Sequence, residues 1–306
     1  MITIITILCP VDFSTGSDEA VVYAESLATL HGASVHLLHV VSPTILSFGS
    51  TINTSALVDS AKKEAITQFS ELKTRLKHPS VIAGTEVRVG DVFDEIKSVI
   101  KTIGADLLVM GTHGRHGLDR WFMGSTTEKL LRHSPIPMIT ISAGQRKRHD
   151  TRPFQRIVVT TDFSDGTSEA LSFAFSVAQE NQSKVTLLHV INDAAFELSA
   201  SYRDEVFTGI QKQLEDLVPA HARHWCEVET RIETGLPYRE ILNILRAEQV
   251  GLLVMNIHRK GMLDRALIGS TAEKVVRGAR CPVLLIPSPK KKFTKATPGI
   301  EKRMAA

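Results

Sequence analysis

The segment best suited to bind a phosphate group is a glycine-containing loop that follows an apolar, strand-like run. The loop holds Gly111 and Gly114, and Gly124-Ser125-Thr126 opens a helical pattern behind it. Glycine lets a backbone approach a ligand closely, and successive N–H groups in such a loop form an anion-binding concavity. The helix N-terminus adds N–H groups without helical partners and the positive end of the helix dipole. Phosphate is therefore the ligand that this chemistry favours.

The spacing of these glycines excludes two common nucleotide-binding loops. A Walker A loop needs Gly-x4-Gly-Lys-Ser/Thr, and a dinucleotide fold needs Gly-x-Gly-x-x-Gly. Two positions outside the loop suit a nucleotide: Asp12 as an acceptor for a base or ribose, and Val40 as an apolar wall for a ring. Each feature also has a structural explanation, since Asp12 and Ser125 can cap helices. From the residues alone, nucleotide binding and a structural loop both remain open.

The chain repeats this pattern. Residues 11–14 return as 161–164, residues 37–40 return as 187–190, and Gly124-Ser125-Thr126 returns as Gly269-Ser270-Thr271. Two long copies of one pattern predict two similar domains. We place them at residues 1–145 and 154–288, with a linker at 146–153 and a basic, disordered tail at 289–306.

Each copy reads as five strands that alternate with four helices. In the first copy the strands are predicted at 4–11, 35–41, 85–89, 106–110 and 136–141, and the helices at 14–30, 55–77, 92–103 and 124–132. In the second copy the strands are predicted at 156–161, 185–191, 227–232, 252–255 and 283–286. This alternation predicts an α/β fold of two doubly wound, five-stranded parallel-sheet domains in flavodoxin-like or similar order. Ligands in such sheets bind where the strand order reverses, so Asp12 and Gly111 should face one crevice.

Composition narrows the class of protein. The chain has 306 residues and a formal net charge of +3, which is too small to indicate nucleic-acid binding. Its three cysteines form no Cys-x-x-Cys pair, which is typical of a reducing compartment. No apolar run approaches the length of a membrane span, and the apolar start runs into the repeated pattern. We expect a cytoplasmic protein.

The combined motif Gly111-x2-Gly114-x9-Gly124-Ser125, with residues 10–14 and 38–40 upstream, resembles the universal stress protein family in both copies. The resemblance implies an adenine-nucleotide-hydrolase-like fold and a tandem member that binds ATP. It also implies that Mg²⁺ accompanies the phosphates, with no protein side chain as a metal ligand. It places Pro10, Val11 and Asp12 at the adenine and ribose, with Val40 against the adenine. The residues that it places around the ribose and phosphates are Met110, Gly111, Gly114, Gly124, Ser125, Thr126 and Thr127.

The second copy departs from this motif at the glycines. Asn256 and Arg259 stand where Gly111 and Gly114 stand, and Thr160 replaces Pro10. The retained counterparts are Asp162, Val190, Gly269, Ser270 and Thr271. We expect the first domain to bind ATP, and the second to bind weakly, to bind another ligand or to act only as a scaffold. Arg259 has an alternative role, which is to pair with a phosphate.

The sequence favours a regulatory, ATP-binding role in stress response over catalysis. A phosphoryl-transfer enzyme needs a residue that orients the nucleophile, and the loop histidines His113 and His116 read as exposed loop residues. The nucleophile candidate Cys9 lies within a strand. Slow ATP hydrolysis and a scaffold without nucleotide are the alternatives.

The last strand of each copy, at residues 136–141 and 283–286, is short and apolar. A bare apolar edge invites aggregation, so we expect these edges to pair, within the chain or between two chains. The resemblance agrees, because single-domain relatives commonly dimerise through this strand. An intramolecular pseudo-dimer, or a homodimer, is therefore expected.

Overall fold

A computed structural model describes residues 4–42, 54–112, 123–142, 154–192, 200–257 and 269–287. Its strands are β1 Thr6–Pro10, β2 Ser34–Val41, β3 Ile82–Val89, β4 Leu107–Gly111, β5 Met138–Ile141, β6 Arg156–Thr160, β7 Lys184–Ile191, β8 Glu227–Thr234, β9 Leu252–Ile257 and β10 Val283–Pro287. The described helices are α1 Thr15–His31, α2 Thr54–Thr74, α3 Val92–Ile103, α4 Ser125–His133, α5 Thr167–Asn181, α6 Ala200–Asp216, α7 Pro237–Ala247 and α8 Ser270–Gly278. The α/β fold with two repeated domains is confirmed.

All ten strands form one sheet in the order β3-β2-β1-β4-β5-β10-β9-β6-β7-β8. Neighbouring strands are parallel within each half, and β5 pairs with β10 antiparallel where the halves meet. The order within each half differs from the flavodoxin order 2-1-3-4-5, because β2 and β3 lie on the same side of β1. The reversal of strand order therefore falls between β1 and β4 in the first half and between β6 and β9 in the second.

The inner strands are apolar along their length because both faces of the sheet are covered. Helices α1, α2, α5 and α6 pack on one face, and α3, α4, α7 and α8 pack on the other. Each face carries one core cluster that contains residues of both halves. The β5–β10 junction is thus part of a continuous core, with Thr140 Oγ1 donating to the Val283 carbonyl at 3.4 Å.

Polar contacts also cross between the halves. His31 at the end of α1 lies with Nδ1 3.0 Å from the carboxylate of Glu180 on α5. Arg132 in the last turn of α4 lies 3.8 Å from Glu273 in the first turn of α8. The two outer strands β3 and β8 carry charged pairs, such as Arg231 with Glu233 at 2.6 Å, which discourage further edge pairing.

Helix ends follow the expected chemistry. Asp91 caps α3 by accepting from the amides of Phe93 and Asp94, and Gly104 ends it with φ +63°. Ser14 caps α1, which ends at Gly32 with φ +63°. None of the described helices is long and apolar enough to span a membrane. The predicted linker and tail lie outside the described residues.

Candidate functional site

The point of strand reversal in the first half brings together two predicted site residues. Asp12 follows β1 by two positions and Gly111 ends the neighbouring strand β4. Val40 near the end of β2 and Met110 of β4 contribute to the same core cluster, on the face that α4 covers. This end of the sheet therefore brings together an apolar wall, a carboxylate and the start of a helix. Pro10 ends β1, and Val11 connects it to Asp12.

The contacts of Asp12 show that the side chain has a structural role. Its Oδ1 accepts from the backbone N of Ser14 at 3.1 Å and from Ser14 Oγ at 2.6 Å. Ser14 Oγ in turn accepts from the N of Ser17 at 3.3 Å, which caps α1. Between them, Phe13 has a left-handed backbone with φ +61°. Asp12 thus holds a tight turn directly above the crevice, and it remains half-buried there.

The helix α4 begins behind a glycine. Gly124 is the N-cap with φ −61° and ψ 143°, and a glycine has no side chain with which to accept from the first-turn amides. Ser125 is exposed and Thr126 half-buried. Because Ser125 is the first helical residue, it is not the cap that sequence reasoning allowed. The N–H groups of a helix's first turn have no partner within the helix, and they commonly bind solvent or an anion.

Two hydrogen bonds, one from a backbone amide and one from a side chain, fix α4 to the end of β4. The N of Gly124 donates to the Thr112 carbonyl at 3.0 Å, and Thr127 Oγ1 donates to the Gly111 carbonyl at 3.2 Å. Thr127 is buried. Because its hydroxyl donates to the last residue of β4, this contact positions α4 against the strand.

The absence of a side chain at Gly111 has a packing reason that the sequence did not reveal. A Cβ at this position would lie 2.9 Å from the carbonyl carbon of Gly16 and 3.0 Å from its oxygen. Gly16 is buried in the first turn of α1. The glycine therefore lets α1 begin against the end of β4, whereas sequence reasoning assigned the missing side chain to ligand approach.

The second half solves the same packing problem differently. Asn256 stands in place of Gly111, and its Nδ2 donates to Ser164 Oγ at 3.0 Å. A Cβ on Gly166 would lie 2.3 to 2.5 Å from the atoms of that carboxamide. Asp165 stands where Thr15 begins α1, yet α5 begins only at Thr167. The Asn256 side chain thus takes the space that the first helical turn fills in the other domain.

Of the remaining predicted positions in the second half, Asp162 and Gly269 are more exposed than their counterparts in the first. Asp162 is exposed and accepts from the N of Ser164 at 3.2 Å. Gly269 and Ser270 are exposed at the start of α8, Thr271 is half-buried, and Val190 packs partly against the core. The loop residues Gly114, His113, His116 and Arg259 lie outside the described residues.

His39 is the residue that sequence reasoning missed. Its Nδ1 lies 2.8 Å from the Val11 carbonyl, and its ring lies 4.8 Å from the ring of Phe13. His189 makes the same two contacts with Thr161 and Phe163. The signal was present in the repeat itself, because residues 37–40 recur at 187–190, but no role was assigned to the histidine.

The thiols are poor candidates for nucleophiles. Cys9, Cys226 and Cys281 are all buried and unpaired. Burial raises the pKa of Cys281 to about 12 and that of Cys9 still further. Both therefore remain protonated in the folded protein at neutral pH. Among the described residues, no group of three or more His, Cys, Asp or Glu side chains could hold a metal ion.

One cavity of about 250 Å³ lies away from this crevice. It is lined by residues of β1, β2, β3 and α3, including His36, Gly84 and Val99. None of the predicted site residues lines it. This cavity is therefore separate from the predicted site.

Comparisons with known proteins agree with this architecture. The family model described as "Universal stress protein family" matches residues 4–142 and again residues 153–287. A universal stress protein of Mycolicibacterium smegmatis is 26% identical over 288 residues, covering 92% of this chain and 96% of the relative. A universal stress protein of Methanocaldococcus jannaschii is 33% identical over 150 residues, covering 47% of this chain and 88% of the relative.

Solved structures show the same fold. The crystal structure of a universal stress protein from Archaeoglobus fulgidus superposes with a TM-score of 0.69 at 20% identity, covering 93% of this chain and 98% of that one. A protein of unknown function from Pseudomonas aeruginosa gives a TM-score of 0.63 at 18% identity, covering 93% of each chain. Because the family model matches both copies, the chain belongs to the universal stress protein family, as a member with two such domains in tandem.

Proposed function

We propose that this chain is an ATP-binding regulatory protein of the stress response, and that its first domain holds the nucleotide. The observation that supports this most is the meeting of Asp12, the Val40–Met110 wall and the glycine-capped start of α4 at one strand reversal. Open α/β sheets bind ligands at this point. The adenine would lie against Val40 with the phosphates towards the first turn of α4.

The phosphate end of the proposed site depends on backbone amides. The N-terminus of a helix carries roughly half a positive charge, and its free N–H groups point along the axis towards an anion. The hydroxyls of Ser125 and Thr126 add donors at the same end. Gly114 would contribute the loop backbone. Mg²⁺ would accompany the phosphates, with phosphate and water oxygens as its ligands.

The side chains near the crevice suit ATP binding without rapid ATP hydrolysis. Asp12 Oδ1 is engaged with Ser14, and burial keeps the Cys9 thiol protonated. Hydrolysis requires a group that orients water in line with the leaving phosphate. Slow ATP hydrolysis is the alternative activity at the same site, and phosphate release from purified protein distinguishes it from binding alone.

A scaffold role is a second candidate, and the β5–β10 pairing favours it. The antiparallel pairing and the two shared core clusters support the proposal that the domains act as an intramolecular pseudo-dimer. In that arrangement the second domain needs no ligand. The Asn256 carboxamide, which donates to Ser164 of the same domain, is compatible with that role.

Calorimetric titration with ATP and Mg²⁺ tests the proposed function. We expect one site per chain in the wild type, and loss of that site in Asp12→Ala and in Gly114→Arg, which copies the second domain. Thr15→Ala is the matched control, because Thr15 is exposed three positions from Asp12. Wild-type protein that binds no ATP, or an affinity that survives both substitutions, would overturn the proposal.

A further inference from the structure

His39 lies on the opposite face of β2 from Val40, because successive side chains of a strand alternate. Its imidazole reaches the segment that follows β1, where Nδ1 is 2.8 Å from the carbonyl oxygen of Val11. A carbonyl oxygen can only accept a hydrogen bond, so Nδ1 carries the hydrogen. The histidine thus ties the end of β2 to the residue that immediately precedes Asp12.

The same ring supports the strained residue that follows Asp12. Phe13 has φ +61°, a left-handed conformation that is unfavourable for residues other than glycine. The Phe13 ring packs 4.8 Å from the His39 ring and 5.2 Å from the Phe69 ring of α2. His39 therefore contacts Asp12's neighbour on each side, the carbonyl of Val11 and the ring of Phe13.

The second domain has the same arrangement with different surroundings. His189 Nδ1 is 2.9 Å from the Thr161 carbonyl, and Phe163 has φ +61° with its ring 4.8 Å from that of His189. This geometry persists although Asn256 has changed the adjoining start of α5. The histidine contacts are therefore a property of the turn itself.

We infer that His39 is a positioning residue for nucleotide binding, which acts by holding the Val11 carbonyl and so aiming Asp12 at the crevice. The inference rests on the proposed function of the first domain. It separates two contributions of one side chain: the Nδ1–H donor sets the direction of Asp12, and the ring stabilises the fold by packing on Phe13.

Two substitutions separate these contributions. His39→Phe keeps an aromatic ring for Phe13 and removes the donor. His39→Asn removes the ring and places a carboxamide N–H near the position of Nδ1. His189→Phe is the matched control, because it removes the equivalent donor from the second domain only.

Titration with Mg²⁺-ATP should rank the two His39 variants by affinity in the opposite order to their ranking by stability in urea unfolding. We expect His39→Phe to weaken ATP binding about tenfold, the effect of one lost hydrogen bond on a positioned group, and His39→Asn to recover most of that affinity. His39→Asn should be the less stable of the two. His189→Phe should leave the affinity at wild-type value. Equal ATP affinity in His39→Phe and wild type, or equal weakening by His39→Phe and His189→Phe, would overturn the inference.

A second measurement does not depend on ATP binding. The backbone N of Ser14 donates to Asp12 Oδ1 at 3.1 Å, so its hydrogen exchange in ligand-free protein reports the position of that carboxylate. We expect faster exchange of the Ser14 amide in His39→Phe and protection in His39→Asn. Unchanged protection in His39→Phe refutes the positioning role even if the wild type binds no ATP, whereas absent ATP binding with the expected exchange pattern refutes only the proposed function.

Discussion

Replacement of Gly111 by alanine tests the packing argument for the start of α1. The added Cβ would lie 2.9 Å from the carbonyl carbon of Gly16 and 3.0 Å from its oxygen. Non-bonded carbon atoms pack best at about 3.5 to 4.0 Å, so one of the two segments must move by at least half an ångström or so. The obstructing atoms belong to backbone in a buried helix turn and cannot rotate away.

We therefore expect Gly111→Ala to lower the free energy of unfolding by about 1–3 kcal/mol, the usual effect of overpacking a core. Urea unfolding followed by circular dichroism measures this difference. Gly124→Ala is the control, because its Cβ would meet nothing closer than the Thr112 carbonyl oxygen at 3.7 Å. A Gly111→Ala protein as stable as Gly124→Ala would refute the argument and return the glycine to a role in ligand approach.

The other predictions concern the second domain and the core thiols. Gly166→Ala should destabilise the protein strongly, and Asn256→Gly should relieve most of that loss in the double variant, a coupling that a double-mutant cycle in urea measures. Gly209→Ala should raise the unfolding free energy by about 0.5–1 kcal/mol, because Gly209 is an exposed residue within α6 and its Cβ would meet no atom within 4 Å. Burial raises the pKa of Cys281 from 9.0 to about 12, so only the unfolded thiol ionises between these values. Stability should therefore fall as the pH rises above 9.0, and Cys281→Ala should fall less steeply in urea unfolding across the same range.

Much of the fold was predictable because hydrophobic periodicity and end signals are local properties. The helix at 92–103 was predicted with the bounds that the structure gives, since Asp91 and Gly104 mark its ends. The prediction of a flavodoxin-like or similar order left the exact strand order open, because the side of β1 on which β3 lies depends on crossover geometry that no short segment encodes. The predicted helix at 55–77 ends earlier, at Thr74.

The approach of Asp12 and Gly111 at neighbouring strand ends was predictable, but their contacts were not. The motif placed Asp12 and Gly111 at one crevice, and the structure brings the ends of their strands together. It did not predict that the missing side chain of Gly111 leaves room for Gly16 or that Thr127 hydrogen-bonds to the end of β4. Nor did it predict that His39 hydrogen-bonds to the carbonyl of Val11. Each of these contacts joins segments far apart in sequence, so only packing reveals them.

The amino-acid sequence by itself determined that this chain is a duplicated α/β unit of the universal stress protein type, with different glycine loops in its two copies. A repeated residue pattern is sufficient for that conclusion, because strands and helices follow from local spacing. Only the tertiary structure decided that β5 and β10 join the copies into one sheet. It also decided that the Asn256 side chain takes the space that the first turn of α1 fills in the other domain. These outcomes depend on which surfaces meet, and steric fit between distant segments is a property of the folded chain alone.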